Sequence, residues 1–224
     1  MNERELLGYA MAAYKGGWVE CGIRKWPVPV CVLDVRSTYP TLATLLGLQN
    51  FLAAESIRIT DTTVQTRALL AEVDLDACLD PTFWRKLWTF VRVKPSGDIL
   101  PVKARLSHDR QWDMLVPRVD GGDSLWMHLG DVVNSKLATG RIPKIDRAIT
   151  VTPVGQMPGL IPMRLRGSVE VDPRRPDDLF RVSVEERERF RKGGTAEGTR
   201  TEKFLKGFGN TIGYRADGEE PTEI

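Results

Sequence analysis

Between Pro27 and Val35 the chain reads PVPVCVLDV, and no other stretch limits its folding so strongly. WPVP makes a break, and in VCVLDV, Val30 to Val35, apolar and β-branched residues fall on both alternating faces, which predicts a strand covered on both sides. The run closes around Asp34, and a carboxylate at the tip of a buried strand is costly unless a charge or hydrogen-bond donor faces it. Ser37, Thr38, Tyr39 and Pro40 follow at once. YPTLATLLGLQNFLAAE then turns helical, with Pro40 suited to a first turn and Leu42, Leu45, Leu46 and Leu48 supplying an apolar side. Asp34 is therefore expected at a strand-to-helix junction, and a metal ion is one candidate to face it.

Other residue types narrow the chemistry. Cys21, Cys31 and Cys78 have no C-x-x-C spacing, and the two histidines, His108 and His128, stand far from them, which argues against zinc. An odd number of scattered cysteines also argues against a disulfide-stapled domain. Without G-x-S-x-G, and with so few histidines, Ser-His-Asp and Cys-His chemistries have little to stand on. That leaves carboxylates, metal and basic residues. Lys plus Arg (32) exceed Asp plus Glu (30) by two, so net charge announces no polyanionic partner. The apolar runs are too short for a bilayer, and the N-terminal MNERELLGYA is charged where a signal peptide needs an apolar core, so no membrane partner and a cytoplasmic location are expected.

Along the chain, Glu3 to Tyr14 predicts a short helix stopped by Gly16-Gly17, and WVECGIR a strand. TTVQTRALLAEV and PTFWRKLW look helical. TFVRVKPSGDILPVKARL predicts a β-hairpin turning at Pro95-Ser96-Gly97-Asp98. DSLWMHLGDVVNSKLATGRIP predicts a helix with Gly140 after its last turn, and residues 149–173 read as loop with short strands. VSVEERERFRK and RTEKFLKGFGNTIGYR predict two helices joined by a Gly-rich break. Trp84, Trp88, Trp112 and Trp126 are assigned to packing.

Arg187 and Arg191 are four apart, as are Lys206 and Asn210, so each pair shares one side of its helix. Together with Asp34 as a cation ligand they make two halves of a triphosphate site. Here a family comes into view. Asp34-Val35-Arg36-Ser37-Thr38-Tyr39-Pro40-Thr41 resembles the first palm motif of family B DNA polymerases, D-x-x-S-L-Y-P-S, and Lys206-Gly207-Phe208-Gly209-Asn210-Thr211 resembles their fingers motif, K-x-x-x-N-S. Tyr14-Lys15-Gly16-Gly17 is similar to the Y-x-G-G segment ahead of the palm. VEERERFRK is similar to the first fingers helix, its R-x-x-x-K pair falling on Arg187 and Arg191.

The resemblance implies an α+β palm-and-fingers core with a β-hairpin-containing insertion, and magnesium-dependent nucleotidyl transfer from a deoxynucleoside triphosphate to a primer end. Asp34 and the Val35 carbonyl would be metal ligands, with Asp34 the catalytic carboxylate of a two-metal site. Ser37, Thr38 and Tyr39 would hold phosphate and sugar, and Arg187, Arg191, Lys206 and Asn210 the triphosphate. Tyr14, Gly16, Gly17 and Tyr214 would lie against DNA. The implied partners are primer-template, the nucleotide and, because no paired-aspartate motif follows Asn210, a second polypeptide carrying the rest of the palm. Alone, the chain is expected not to catalyse. Arg191 stands where the family has Lys, and Gly213-Tyr214 where it has Tyr-Gly.

The expected division is 1–60 for the N-terminal palm portion, 61–175 for an insertion and palm elaboration, and 176–224 for a fingers-like helical pair and tail. Each motif also has a plainer reading alone: a cap residue for Asp34, intrahelical ion pairs for the arginines, a helix stop for the glycines. The second functional reading is a non-catalytic nucleotide- or nucleic-acid-binding module.

Overall fold

A computed structural model describes residues 3–13, 23, 25–35, 37–105, 113–116, 122–175 and 179–216. Its elements, in chain order, are α1 (Glu3–Ala13), α2 (Thr38–Leu46), α3 (Leu48–Leu52), β1 (Ser56–Asp61), α4 (Thr63–Glu72), α5 (Leu75–Leu79), a 3₁₀ turn (Phe83–Leu87), β2 (Thr89–Lys94), β3 (Val102–Arg105), β4 (Asp113–Val116), β5 (Leu125–His128), α6 (Leu129–Thr139), β6 (Lys144–Val154), β7 (Met163–Arg166), β8 (Val169–Val171), α7 (Leu179–Gly193) and α8 (Ala196–Ala216). Helix and sheet are thus mixed. The chain divides into two compact units that differ from the expected three-part division: Met1–Val30 with Arg58–Thr152, and Cys31–Ile57 with Pro153–Ile224.

In the first unit a sheet runs in the order β1-β6-β2-β5. Strand β2 is antiparallel to both neighbours, Val91 standing opposite Met127 of β5 and Ala148 of β6. Its alternation buries Thr89, Val91 and Val93 and exposes Arg92 and Lys94, the pattern of a sheet with one covered face. Helix α6 packs on β2 and β5 through Leu129, Val132 and Val133, spaced as one helical face, and stops at Gly140 in the left-handed region. The Lys136 ammonium donates to the Val73 and Ala71 carbonyls, satisfying groups that the end of α4 leaves open. Tyr9 of α1 stacks on Trp126 with ring centroids 4.0 Å apart, so that tryptophan is a packing residue.

The hairpin expected over 89–105 does not form. With β5 on one edge and β6 on the other, β2 has no edge left for β3, which pairs antiparallel with β4 instead. Asp98, in the stretch expected to turn, is buried and accepts hydrogen bonds from the Ser96 N–H and hydroxyl.

The strand expected over VCVLDV, residues 30–35, is also absent. Residues 27–35 have no regular structure, and Val30, Val32 and Leu33 are 78%, 87% and 89% exposed. A physical reason lies in the sequence: Pro27 and Pro29 remove two N–H donors from the same edge of any ladder this segment could join. The WVECGIR strand falls mostly outside the described residues.

The second unit is built on α7 and α8, which turn back on one another through Gly194 at φ 63°. Gly198, Thr201, Leu205 and Gly209 form the buried stripe of α8, spaced three and four residues apart. Phe180 and Ser183 begin the corresponding stripe on α7, and α2 packs against both helices. A Gly47 in the left-handed region separates α2 from α3, breaking the single helix that the leucine spacing predicts. Gln49 of α3 accepts from the Leu179 N–H at the start of α7. The β7–β8 hairpin buries Val169 and Val171.

Candidate functional site

All the segments similar to the palm and fingers motifs, from Asp34 onward, fall in the second unit. Ser37 takes φ 48°, ψ 52°, a left-handed conformation unusual for a residue with a Cβ, and from it α2 starts at Thr38. This turn presents the open N–H groups of the first turn of a nine-residue helix, where the positive end of the helix dipole favours anions. The Thr38 hydroxyl donates to the Val35 carbonyl at 2.8 Å, bracing the turn from the side chain.

Arg187 comes to this turn from α7. It follows Ser183 by four residues and so lies on the covered stripe of its helix, with its side chain 22% exposed. Its Nη1 donates to Ser37 Oγ at 2.9 Å, and its Nε donates to Glu202 Oε1 at 2.8 Å. The two partners are 150 and 15 residues away in sequence. A second contact brings a third segment to the same stretch: a Cβ built on Gly209 would lie 3.0 Å from Pro40 Cγ, so α8 approaches α2 closely only because residue 209 lacks a side chain. Pro40 belongs to the D-x-x-S-T-Y-P stretch and Gly209 to the K-G-F-G-N-T stretch.

The remaining positions divide. Tyr39 is half exposed at the start of α2. Lys206, one turn beyond Glu202, is exposed and has no ion-pair partner among the described residues. Arg191 is paired with Glu188 of its own helix at 2.8 Å, with its side chain half exposed, as are Arg189 with Glu186 and Arg181 with Glu185. The intrahelical ion-pair reading therefore describes Arg191, whereas Arg187 leaves its helix to meet α2 and α8. Asn210 and Tyr214 lie on α8 with side chains outside the described residues, as do Tyr14, Gly16 and Gly17 altogether.

Asp34 is exposed in an irregular segment, with no hydrogen-bond or ion-pair partner among the described residues. Among those residues no three carboxylate, histidine or cysteine side chains gather as a metal would require. One carboxylate and the Val35 carbonyl, already accepting from Thr38, are too few oxygens for a hard divalent ion, and far fewer than two ions need. The described residues therefore do not fit the two-magnesium centre by themselves.

Sequence reading missed Glu202, which partners Arg187 with a side chain only 16% exposed. A signal was available: Glu202 stands one residue after the buried Thr201 and four before Lys206, on the flank of the α8 stripe. Asp172, at the end of β8, is held down to about 2 mainly by the hydrogen bond from the Arg174 side chain, with the Arg174 N–H and the charges of Arg174 and Arg175 adding to it. This ties the turn after β8 together rather than serving the α2 end. His128 caps α6 by accepting from the Gly130 N–H, and burial pushes its pKa down.

Set beside known proteins, the chain matches no family model, no curated protein and no solved structure.

Proposed function

We propose that this chain carries the nucleotide-binding side of a family B-like DNA polymerase, a palm-and-fingers core that holds a deoxynucleoside triphosphate and, among its described residues, gathers too few acidic groups for transfer. One observation carries the reading. Three segments singled out separately in the sequence come together: VEERERFRK meets the D-x-x-S-T-Y-P stretch, 150 residues away, through the Arg187–Ser37 hydrogen bond, and Gly209 of the K-G-F-G-N-T stretch packs closely on Pro40 of that same stretch. In this reading the first-turn N–H groups of α2 and the guanidinium of Arg187 receive phosphate oxygens, and Lys206 adds a mobile charge from α8. Tyr39 faces the sugar, and Asp34 contributes one of the metal ligands that a second polypeptide completes on a primer-template. No transfer step is assigned to the chain alone.

The test is binding of a fluorescent deoxynucleoside triphosphate with magnesium, for wild type and Lys206→Glu. Reversal of a charge that contacts phosphate removes a charge-assisted interaction and adds repulsion, so affinity should fall at least about tenfold. Equal binding by both proteins would sink the site assignment.

The lone, exposed Asp34 favours a second reading, a non-catalytic nucleotide- or nucleic-acid-binding module. Asp34→Asn separates the two. It should weaken magnesium-dependent triphosphate binding in a polymerase portion and leave a pure phosphate-binding module unchanged.

A further inference from the structure

Among the described residues, Arg181–Glu185, Arg187–Glu202, Arg189–Glu186 and Arg191–Glu188 are ion pairs that involve α7, and one differs from the other three. Arg181–Glu185, Arg189–Glu186 and Arg191–Glu188 join residues three or four apart on one helix, with arginines 51%, 61% and 53% exposed. Arg187–Glu202 crosses from α7 to α8 and is covered on both sides, 22% and 16% exposed. Exposed intrahelical pairs of the first kind contribute little. The covered pair must be explained by what it holds.

Glu202 Oε1 accepts from Nε of Arg187, the nitrogen nearest the aliphatic stem, and Nη1 then reaches Ser37 Oγ. A guanidinium is a rigid planar fork, so fixing Nε fixes the plane and the direction of both terminal nitrogens. Its other N–H groups have no protein partner among the described residues. The placement also opposes electrostatics: a cation beside the first turn of α2 faces the positive end of a helix dipole. A negative group must offset that, and Glu202 is the one bound to Arg187.

We infer that Glu202 is a positioning residue: it orients Arg187 across the start of α2 so that the unused guanidinium N–H groups face an arriving triphosphate. This rests on the nucleotide reading above and assigns that site a residue with no counterpart in the motifs. Glu202 acts in two opposite ways. Its geometry favours phosphate binding by aiming Arg187, while its charge repels the phosphate. Glu202→Gln keeps an oxygen for Nε and removes the charge; Glu202→Ala removes both.

The experiment has two readouts on wild type, E202Q and E202A, taken well below each protein's melting temperature. One is affinity for a fluorescent deoxyadenosine triphosphate analogue with magnesium. The other is the Arg187 Nε–H signal in nitrogen-15 NMR, assigned by its loss in Arg187→Lys and observable without nucleotide. The expected result is a slowly exchanging Nε–H in wild type and E202Q and its loss in E202A. Affinity should fall about tenfold in E202A and stay within about threefold of wild type, or tighten, in E202Q. A role confined to holding the helices together would lower the melting temperature of E202A without changing affinity in the folded protein, and that result overturns the inference. So does a freely exchanging Nε–H in wild type. A wild type that binds no triphosphate, yet loses the Nε–H signal in E202A, overturns the nucleotide reading and leaves the orientation of Arg187 by Glu202 standing.

Discussion

Ser37 carries strain where the two motif-like segments meet. A left-handed conformation costs a residue with a Cβ roughly 1–2 kcal/mol, and here it sets the start of α2 while its hydroxyl takes the Arg187 hydrogen bond. Ser37→Gly relieves the strain and loses that bond, worth about 1 kcal/mol or somewhat more, so the two changes should nearly cancel. Ser37→Val loses the bond and worsens the strain, and is expected to destabilise by about 1–3 kcal/mol. Thermal melts of the pair check both expectations. Asp172 offers a separate test in acid. Its ordinary value of 3.8 falls to about 2 in the folded chain, so its stabilisation is complete above pH 3.8 and is lost as pH drops through 2. Asp172→Asn should remove that part of the acid-induced loss, seen as a shallower fall in melting temperature between pH 4 and about pH 2.

At the scale of elements, two glycines of α8 that look alike in sequence have different surroundings. Nothing lies within 4 Å of a Cβ at Gly207, while one at Gly209 would stand 3.0 Å from Pro40. Gly207→Ala should therefore stabilise by about 0.5–1 kcal/mol through helix propensity. Gly209→Val should cost about 1–3 kcal/mol by pushing α2 off α8, and chemical denaturation of both variants reads the difference in sign. The same comparison shows what was legible. The helices α4, α7 and α8, and the later part of the helix expected over DSLWMHLGDVVNSKLATGRIP, follow from apolar spacing and from Gly140 and Gly194, because both signals are local; the earlier part of that stretch, Leu125–His128, is instead strand β5, paired with β2. The β2–β3 hairpin looked right locally at Pro95 to Asp98 and failed because strand pairing is decided by which edges remain open. The run before Asp34 misled for a related reason. Its side chains suit a covered strand, but composition does not supply a ladder partner, and Pro27 and Pro29 weaken one edge. Of the candidate site, Arg187 and Ser37 were singled out from spacing and motif likeness, and the structure brings these two into contact. Glu202 was not: its place on the flank of the α8 stripe was a signal, but among so many glutamates on charged helices nothing local marks Arg187 as its partner.

Across the whole molecule, the second unit is assembled from residues 31–57 and 153–224, with the intervening chain in the first. The two stretches are tied where they are interrupted: the Met157 N–H donates to the Ala53 carbonyl at 2.8 Å, and the space beside Gly155 is filled by Glu55. A chain running from 31 to 57, through a short Gly-Ser linker, to 153 and onward should therefore keep the α2, α7 and α8 arrangement and the triphosphate affinity proposed for the full chain. Circular dichroism and the nucleotide titration together test that expectation, and an unfolded or non-binding product would refute it. Among the described residues no helix is long and apolar enough to cross a membrane. The Ala53–Met157 bond also makes this point a splice junction. A reporter domain with neighbouring termini can be grafted there in place of residues 58–152, so that its two ends are held by the same backbone that carries Ser37 and Arg187, and a movement of α7 on α2 becomes a change in its emission.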